Sequence, residues 1–249
     1  MSGHSKWATT KHRKGAVDKA RGKLFAKLIR QVEVAAREGG GDVNSNATLR
    51  TMYQKARDAS IPLDTIERAI KRGTGELEGV RYEAVSYEGY APGGVALIVE
   101  CLTDNRNRTG ADIRSTFSRN GGSMAEPGAV SWQFERKGVV LLPKKVTEDD
   151  LMTVALDAGA EDLSDEGDEW MLTSAPSDLT ALRHAIEEAS IAIETADVEL
   201  VPSTRVPVED ESTARRVLKL IELLEDHDDV QNVWANFDIP DAILETVEV

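Results

Sequence analysis

The apolar period of this chain changes at Gly73-Thr74-Gly75: three amphipathic helices before that point make a small helical domain, and the Gly-rich stretch reads as its exit linker. Before that point the spacing is helical. Residues 16–38 place Val17, Leu24, Leu28, Val32 and Ala35 along one face and Lys19, Lys23, Lys27, Arg30 and Arg37 along the opposite one, with Arg21 breaking the apolar side. Gly39-Gly40-Gly41 stops this helix, and Asn44-Ser45-Asn46 supplies capping side chains for a second, which carries Leu49, Met52, Tyr53 and Ala56 at helical spacing. Pro62 suits the first turn of a third helix, with Ile66, Ala69 and Ile70 on its apolar side and an end at Gly73.

Beyond Gly75 strands appear. Residues 81–90 and 95–102 predict a hairpin around Ala91-Pro92-Gly93-Gly94, whose Pro and Gly supply turn conformations. Asp104-Asn105 caps a helix that runs through Ile113 and Phe117 and stops at Asn120-Gly121-Gly122, and residues 130–134 read as a third strand. Residues 137–205 then read strand 138–142, helix 147–158, strands 160–164 and 169–173, helix 178–190, strand 193–201. That order is βαββαβ, the split arrangement of ferredoxin-like domains. A helix at 211–225 and a strand at 230–237 can complete the sheet begun at residue 81. The expected fold class is multidomain α and α+β. A basic arm and three-helix domain occupy 1–78, a middle α+β domain 79–136 plus 206–249, and an acidic ferredoxin-like domain, inserted into the middle one, 137–205.

Charge is segregated along the same axis. The net charge of -14 conceals a block at residues 1–30 with nine basic residues and a single acid, Asp18, whereas residues 146–249 hold 28 acids against five bases. Such asymmetry points to a polyanion at the basic end. Lys6, Lys11, His12, Arg13 and Lys14 lie on a stretch without apolar periodicity, expected to be a mobile arm, and Lys19, Lys23, Lys27 and Arg30 continue the charge along the first helix. Each phosphate neutralised by such a group adds salt-dependent, sequence-independent affinity. The alternative for the helical stripe is an ordinary solvated face. Trp7 either stacks on an exposed base or anchors the arm to the helices. Arg106 and Arg108 stand in the first turn of a helix, where cations oppose the macrodipole. They read either as part of an anion site at the helix start or as partners of Asp104 or Asp112.

Catalytic chemistry finds little support. A single Cys, Cys101, closes no intramolecular disulfide, and the four His residues are scattered without a metal-binding spacing, a Gly-x-Ser-x-Gly elbow or a phosphate-binding Gly-rich loop near them. With 28 acids in the last 104 residues, adjacent carboxylates are expected by chance and read as a solvated face. The longest aliphatic run, 95–99, is far short of the roughly 20 residues that span a bilayer, and the first residues lack the apolar core of a signal peptide. The expectation is a cytoplasmic chain that is not an enzyme, with no cofactor, no metal, no membrane partner and no small-molecule substrate.

Particular motifs are more telling. Gly3-His4-Ser5-Lys6-Trp7-Ala8, Lys11-His12-Arg13-Lys14, Lys27-Leu28-Ile29-Arg30, Gly39-Gly40-Gly41-Asp42, the run from Ile66 to Gly75, Tyr87-Glu88-Gly89-Tyr90 and above all Glu100-Cys101-Leu102-Thr103-Asp104-Asn105-Arg106-Asn107-Arg108-Thr109 together resemble the YebC family. The resemblance covers essentially the whole chain and is strongest over residues 3–134. It implies a helical bundle, a middle α+β domain and an inserted ferredoxin-like domain. It also implies a non-enzymatic, cytoplasmic regulator of gene expression that binds nucleic acid, either DNA at promoters or the ribosome and its RNA. The Lys-rich stripe suits phosphate neutralisation more than bidentate base reading, which leans toward a backbone or RNA reader. A protein–protein adaptor that uses its acidic and basic ends is the alternative of another class.

Overall fold

The structure is a computed structural model that describes residues 17–167, 169–244 and 246–247, with side chains from residue 22 onward. Helices α1 (Val17–Gly39), α2 (Ala47–Asp58) and α3 (Leu63–Thr74) come first. Asn46 caps α2 as anticipated, its carboxamide oxygen accepting the Leu49 N–H at 3.0 Å while its amide donates to the carbonyl oxygens of Ala35 and Gly40. Leu28, Val32, Ala35, Leu49, Ala56, Ile61, Ile66 and Ala69 form the core between the three helices. Leu24, expected on the apolar face, is 48% exposed, because the buried part of α1 begins near Leu28. Gly73 does not end α3. It lies inside the helix where α1 crosses, and a Cβ there would stand 2.4 Å from the Glu33 carbonyl oxygen. The stop is Gly75, whose φ of +85° is the left-handed conformation that glycine adopts without steric cost.

Strands β1 (Glu83–Tyr90) and β2 (Ala96–Thr103) form the expected antiparallel hairpin, with Tyr87 opposite Val99. Helix α4 (Arg106–Arg119) follows, capped by Asn105. The third strand of this sheet is not at 130–134. It is the two-residue β3 (Ser123–Met124), paired with Gly89 and Tyr90. Residues 131–133 form a 3-10 turn instead, because the Glu88 carboxylate accepts the N–H groups of Gly128, Val130 and Ser131 at 2.7–3.0 Å and ties that loop down. Phe134 then opens β4 (Phe134–Pro143).

After β4 come α5 (Glu148–Asp157), β5 (Ala160–Asp165), β6 (Glu169–Ser174), α6 (Leu179–Glu188) and β7 (Thr195–Pro202). Their sheet has the order β5-β6-β4-β7, all neighbours antiparallel, the interleaved order of a split βαβ pair. Both helices bury Leu151, Ala155, Leu182 and Ile186 against Val140, Leu142 and Leu172 on one side of it.

The chain returns through β8 (Val206–Pro207), α7 (Glu211–Glu225), β9 (Val230–Ala235), β10 (Phe237–Asp238) and α8 (Asp241–Leu244). Strand β9 pairs with β2, so the sheet begun at β1 is completed by residues more than 100 positions away, in the order β3-β1-β2-β9. The strand expected at 230–237 is broken at the buried Asn236. Its side chain accepts the Ala96 N–H at 2.7 Å and donates to Gln133 at 2.9 Å, after which β10 pairs with β8. On one face of this sheet Leu97, Val99 and Cys101 meet Ile113 and Phe117 of α4 and Leu218, Ile221 and Leu224 of α7. On the other, Ala96 and Ile98 meet Val130 and Phe134. The whole is a mixed, multidomain α+β architecture with antiparallel sheets.

Candidate nucleic-acid interface

The basic face of α1 is neither free nor plainly solvated, because the C-terminal end of α7 arrives beneath it. Lys23 Nζ donates to the Asp226 carbonyl oxygen at 3.1 Å and its carboxylate at 2.5 Å, and Lys27 Nζ donates to the Glu225 carbonyl at 3.1 Å. Arg30 donates to the Asp228 carbonyl at 2.6 Å and to Asp229 Oδ1 at 3.1 Å, and its guanidinium lies 5.3 Å from the Tyr82 ring centre. The last carbonyls of a helix lack intrahelical donors and carry the negative end of its dipole, so cations there are favourable by about 0.3–1 kcal/mol each. Burial of Leu28 or Val32 on the opposite face is worth about 1.5–3 kcal/mol apiece. The apolar side therefore holds α1 to α2 and α3, and the polar side orients it on α7. Burial, together with the neighbouring Lys23, lowers the pKa of Lys27 despite the opposing acids of the 226–228 turn.

Asp229 is the hub. Only 4% exposed, it accepts Arg30 on Oδ1, and Arg108 (2.8 Å) and the Thr109 hydroxyl (2.7 Å) on Oδ2, so one carboxylate joins α1, α4 and the turn before β9. Its backbone N–H donates to His227 Nδ1, and His227 Nε2 lies 3.5 Å from Asp112. Burial alone would raise the pKa of Asp229; the bonds from Arg108 and Thr109 and the charges of Arg108 and Arg30 more than offset it and hold the carboxyl below its ordinary value. Arg108 also donates to Asp104 at 2.9 Å, one of the pairings its sequence context allows, and its hydrogen bonds to Asp229 and Asp104 push its pKa up. These acids, with the Asn105 side chain accepting the Arg108 N–H, offset the unfavourable cations in the first turn of α4.

Arg106 points elsewhere. The first turn of α4 sends Arg108 to Asp229 and Arg106 to a groove of about 360 Å³ on the outer side of the helix, lined also by Tyr87, Asn107, Gly110, Ala111, Arg114 and Met124. Neither Arg106 nor Arg114 has a side-chain hydrogen bond or ion pair among the described residues. Tyr87 Oη donates to the Arg106 carbonyl at 3.1 Å; burial is the leading cause of its raised pKa. Gly110 admits the ring against the helix, since a Cβ there would lie 3.3 Å from Tyr87 Oη. Arg114 is a groove residue beyond those the sequence points to, and its one local signal is that Asn107, Gly110, Ala111 and Arg114 recur at the spacing of one helix face. Tyr87 and Met124 join them only through the sheet.

Of the other expected site residues, Lys6, Trp7, Lys11, His12, Arg13 and Lys14 lie outside the described residues, and Lys19 belongs to α1 without a described side chain. Among the described residues no group of His, Cys, Asp and Glu has the arrangement to hold a metal ion. Burial pushes the Cys101 thiol up to about 12, the mark of an inert core residue rather than a nucleophile. No described helix is long and apolar enough to cross a membrane.

Fold and site together define a multidomain α+β protein whose N-terminal helices are tied, through the buried Asp229 carboxylate and the end of α7, to a sheet covered by two helices. Residues 5–76 match the TACO1/YebC protein N-terminal domain, and residues 82–237 match the TACO1/YebC second and third domain. The chain belongs to the TACO1/YebC family. A probable transcriptional regulatory protein of Acidothermus cellulolyticus is 58% identical over 249 residues, covering 99% of this chain and 100% of the relative. One of Thermobifida fusca is 57% identical over 246 residues, 98% of each. The crystal structure of a conserved hypothetical protein from Aquifex aeolicus superposes with a TM-score of 0.82 at 46% identity, covering 90% of this chain and 93% of that one.

Proposed function

We propose that this chain is a non-enzymatic, cytoplasmic regulator of gene expression that acts by binding nucleic acid. The names of its relatives support a regulator of transcription. The observation that carries the binding mode is the N-terminal run, in which Lys6, Lys11, Arg13 and Lys14 precede the first acid, Asp18. In this reading these residues, with Trp7, His12 and Lys19, contact phosphates and bases from one side, and Arg106 contacts them from α4. Lys23, Lys27, Arg30 and Arg108 keep spare donors, so their phosphate contacts compete with their bonds to the 225–229 turn. Lysine supplies most of the charge at the N-terminal end, which favours a backbone or RNA reader over a reader of duplex base edges. The three-domain division at 78, 136 and 205 belongs to the same reading, supported by the separate cores.

Co-sedimentation with ribosomes at near-physiological salt, with and without excess promoter-length duplex DNA, separates the two targets. Persistent co-sedimentation supports a ribosomal partner. Loss to the competitor, or tight duplex binding without co-sedimentation, supports promoter DNA. Failure to bind either overturns the reading.

A further inference from the structure

We propose that the groove between α4 and β1 seats one nucleotide of a single-stranded nucleic acid, with Arg106 and Arg114 on its flanking phosphates. This rests on the nucleic-acid-binding reading above and names the form of ligand and the place where it is held. The two arginines are eight residues apart on one helix, about 12 Å along its axis, and both line the groove. Both guanidinium groups are unpartnered among the described residues, whereas Arg108 on the same helix is doubly bonded. None of the seven residues lining the groove is acidic, in a chain with 44 acids against 30 bases.

Between the cations the helix lines the groove with Asn107, Gly110 and Ala111, and the two small residues leave its middle open. The opposite wall is Tyr87 and Met124, both partly buried, and they offer the aromatic and thioether surface on which a base packs. Asn107 is exposed at the rim, and its amide has a donor and an acceptor for a base edge. In a duplex the base faces are covered by stacking, so only an unpaired base can reach the Tyr87 wall. The groove therefore discriminates by strandedness, whereas the N-terminal lysines respond to any phosphate backbone.

The test uses the full chain and fluorescence anisotropy with a labelled 12-nucleotide single-stranded RNA and its annealed duplex, with AMP and polyglutamate as competitors. Arg106→Gln with Arg114→Gln is expected to weaken single-strand binding by about tenfold or more and to reduce the log–log salt slope by about 1.4, two contacts at about 0.7 each. Ala111→Glu, which places a carboxylate in the groove without removing either arginine, is expected to weaken it similarly. Duplex affinity should change less than about threefold, and thermal melting of both variants should match the parent. Single-strand affinity unchanged in both variants, while the parent binds RNA, overturns the groove and leaves the broader reading standing. Equal losses for single strand and duplex overturn it as well. Displacement by polyglutamate in the parent but not in the variants assigns the groove to an acidic peptide, and displacement by AMP at equal potency assigns it to a free nucleotide; either overturns the proposal. A parent chain that binds neither oligonucleotide overturns both readings together.

Discussion

The basic face of α1 and the outer face of α4 carry the same kinds of side chain and meet opposite surroundings. Lys23, Lys27 and Arg30 end on carbonyls and carboxylates at the C-terminus of α7, whereas Arg106 and Arg114 line an open groove without a partner among the described residues. The denser and more regular stripe is the one the fold uses internally. What separates the two is the arrival of a helix end: the carbonyls of Glu225 and its cap Asp226 need donors, which Lys27 and Lys23 supply, while Arg30 bonds the turn just beyond. A cationic helix face thus reports on function only once its neighbours are placed.

The comparison breaks most readily at Asp229. Asp229→Ala removes the acceptor for Arg30, Arg108 and Thr109 at once and is expected to cost about 2–3 kcal/mol in urea denaturation. Its depressed pKa means that this contribution is fully present above the ordinary carboxylate value near 3.9 and is lost as pH falls through the lower folded value. A variant as stable as the parent would show that the Asp229 carboxylate adds nothing to what the apolar side of α1 and its bonds to the 225–228 carbonyls supply.

Glu199 on β7 sharpens the contrast by being a carboxylate with the opposite shift. Burial first, and the neighbouring Asp197 second, raise its pKa to about 7, against a partial counter-effect from Lys55. Its protonated form favours the fold, so the contribution of this group is fully present below about pH 4.5 and is lost as pH rises through about 7, on the order of 1–3 kcal/mol. Glu199→Gln should flatten that part of the pH–stability curve. A curve that keeps its slope in the variant would place the titration elsewhere.

Smaller effects follow for the α1 cations. Lys27→Ala with Arg30→Ala leaves the Glu225 and Asp228 carbonyls to water and should cost about 1–2 kcal/mol, with faster hydrogen exchange in α1 as the local readout. The smallest effect belongs to Arg106→Gln, expected to stay within about 0.5 kcal/mol of the parent because no described group loses a partner. A loss as large as that of the α1 pair would erase the distinction between the two faces. Arg108→Ala should lower the melting temperature where Arg106→Gln does not, so the two arginines are not interchangeable probes of binding.

Much of the fold was legible. Helix α7 lies at the residues its spacing predicts, and the caps at Asn46 and Asn105 are visible because their side-chain oxygens act on N–H groups three residues ahead. The errors share a cause. Gly73 looked like a stop because glycine is a common one, yet it is there for the approach of α1; residues 130–134 looked like a strand because Val and Phe favour strands, yet the distant Glu88 carboxylate holds that loop. The site was legible in part. Arg106 was visible by its misfit with the helix dipole, and Arg108 by the same sign, but nothing local says that one turns to Asp229 and the other to a groove shared with Tyr87.

Sequence by itself determined the change of period at Gly75, the βαββαβ order of residues 137–205 and the segregation of charge, because each depends on spacing within a short window. Tertiary structure alone decided which cations are spent inside the molecule and which face outward. That choice depends on Asp229 lying 199 residues from Arg30 and 121 from Arg108, and on an α7 C-terminus whose place is set by β9 pairing with β2. Electrostatic partnership acts over a few ångströms in space, and no local pattern encodes contacts between segments so far apart in the chain.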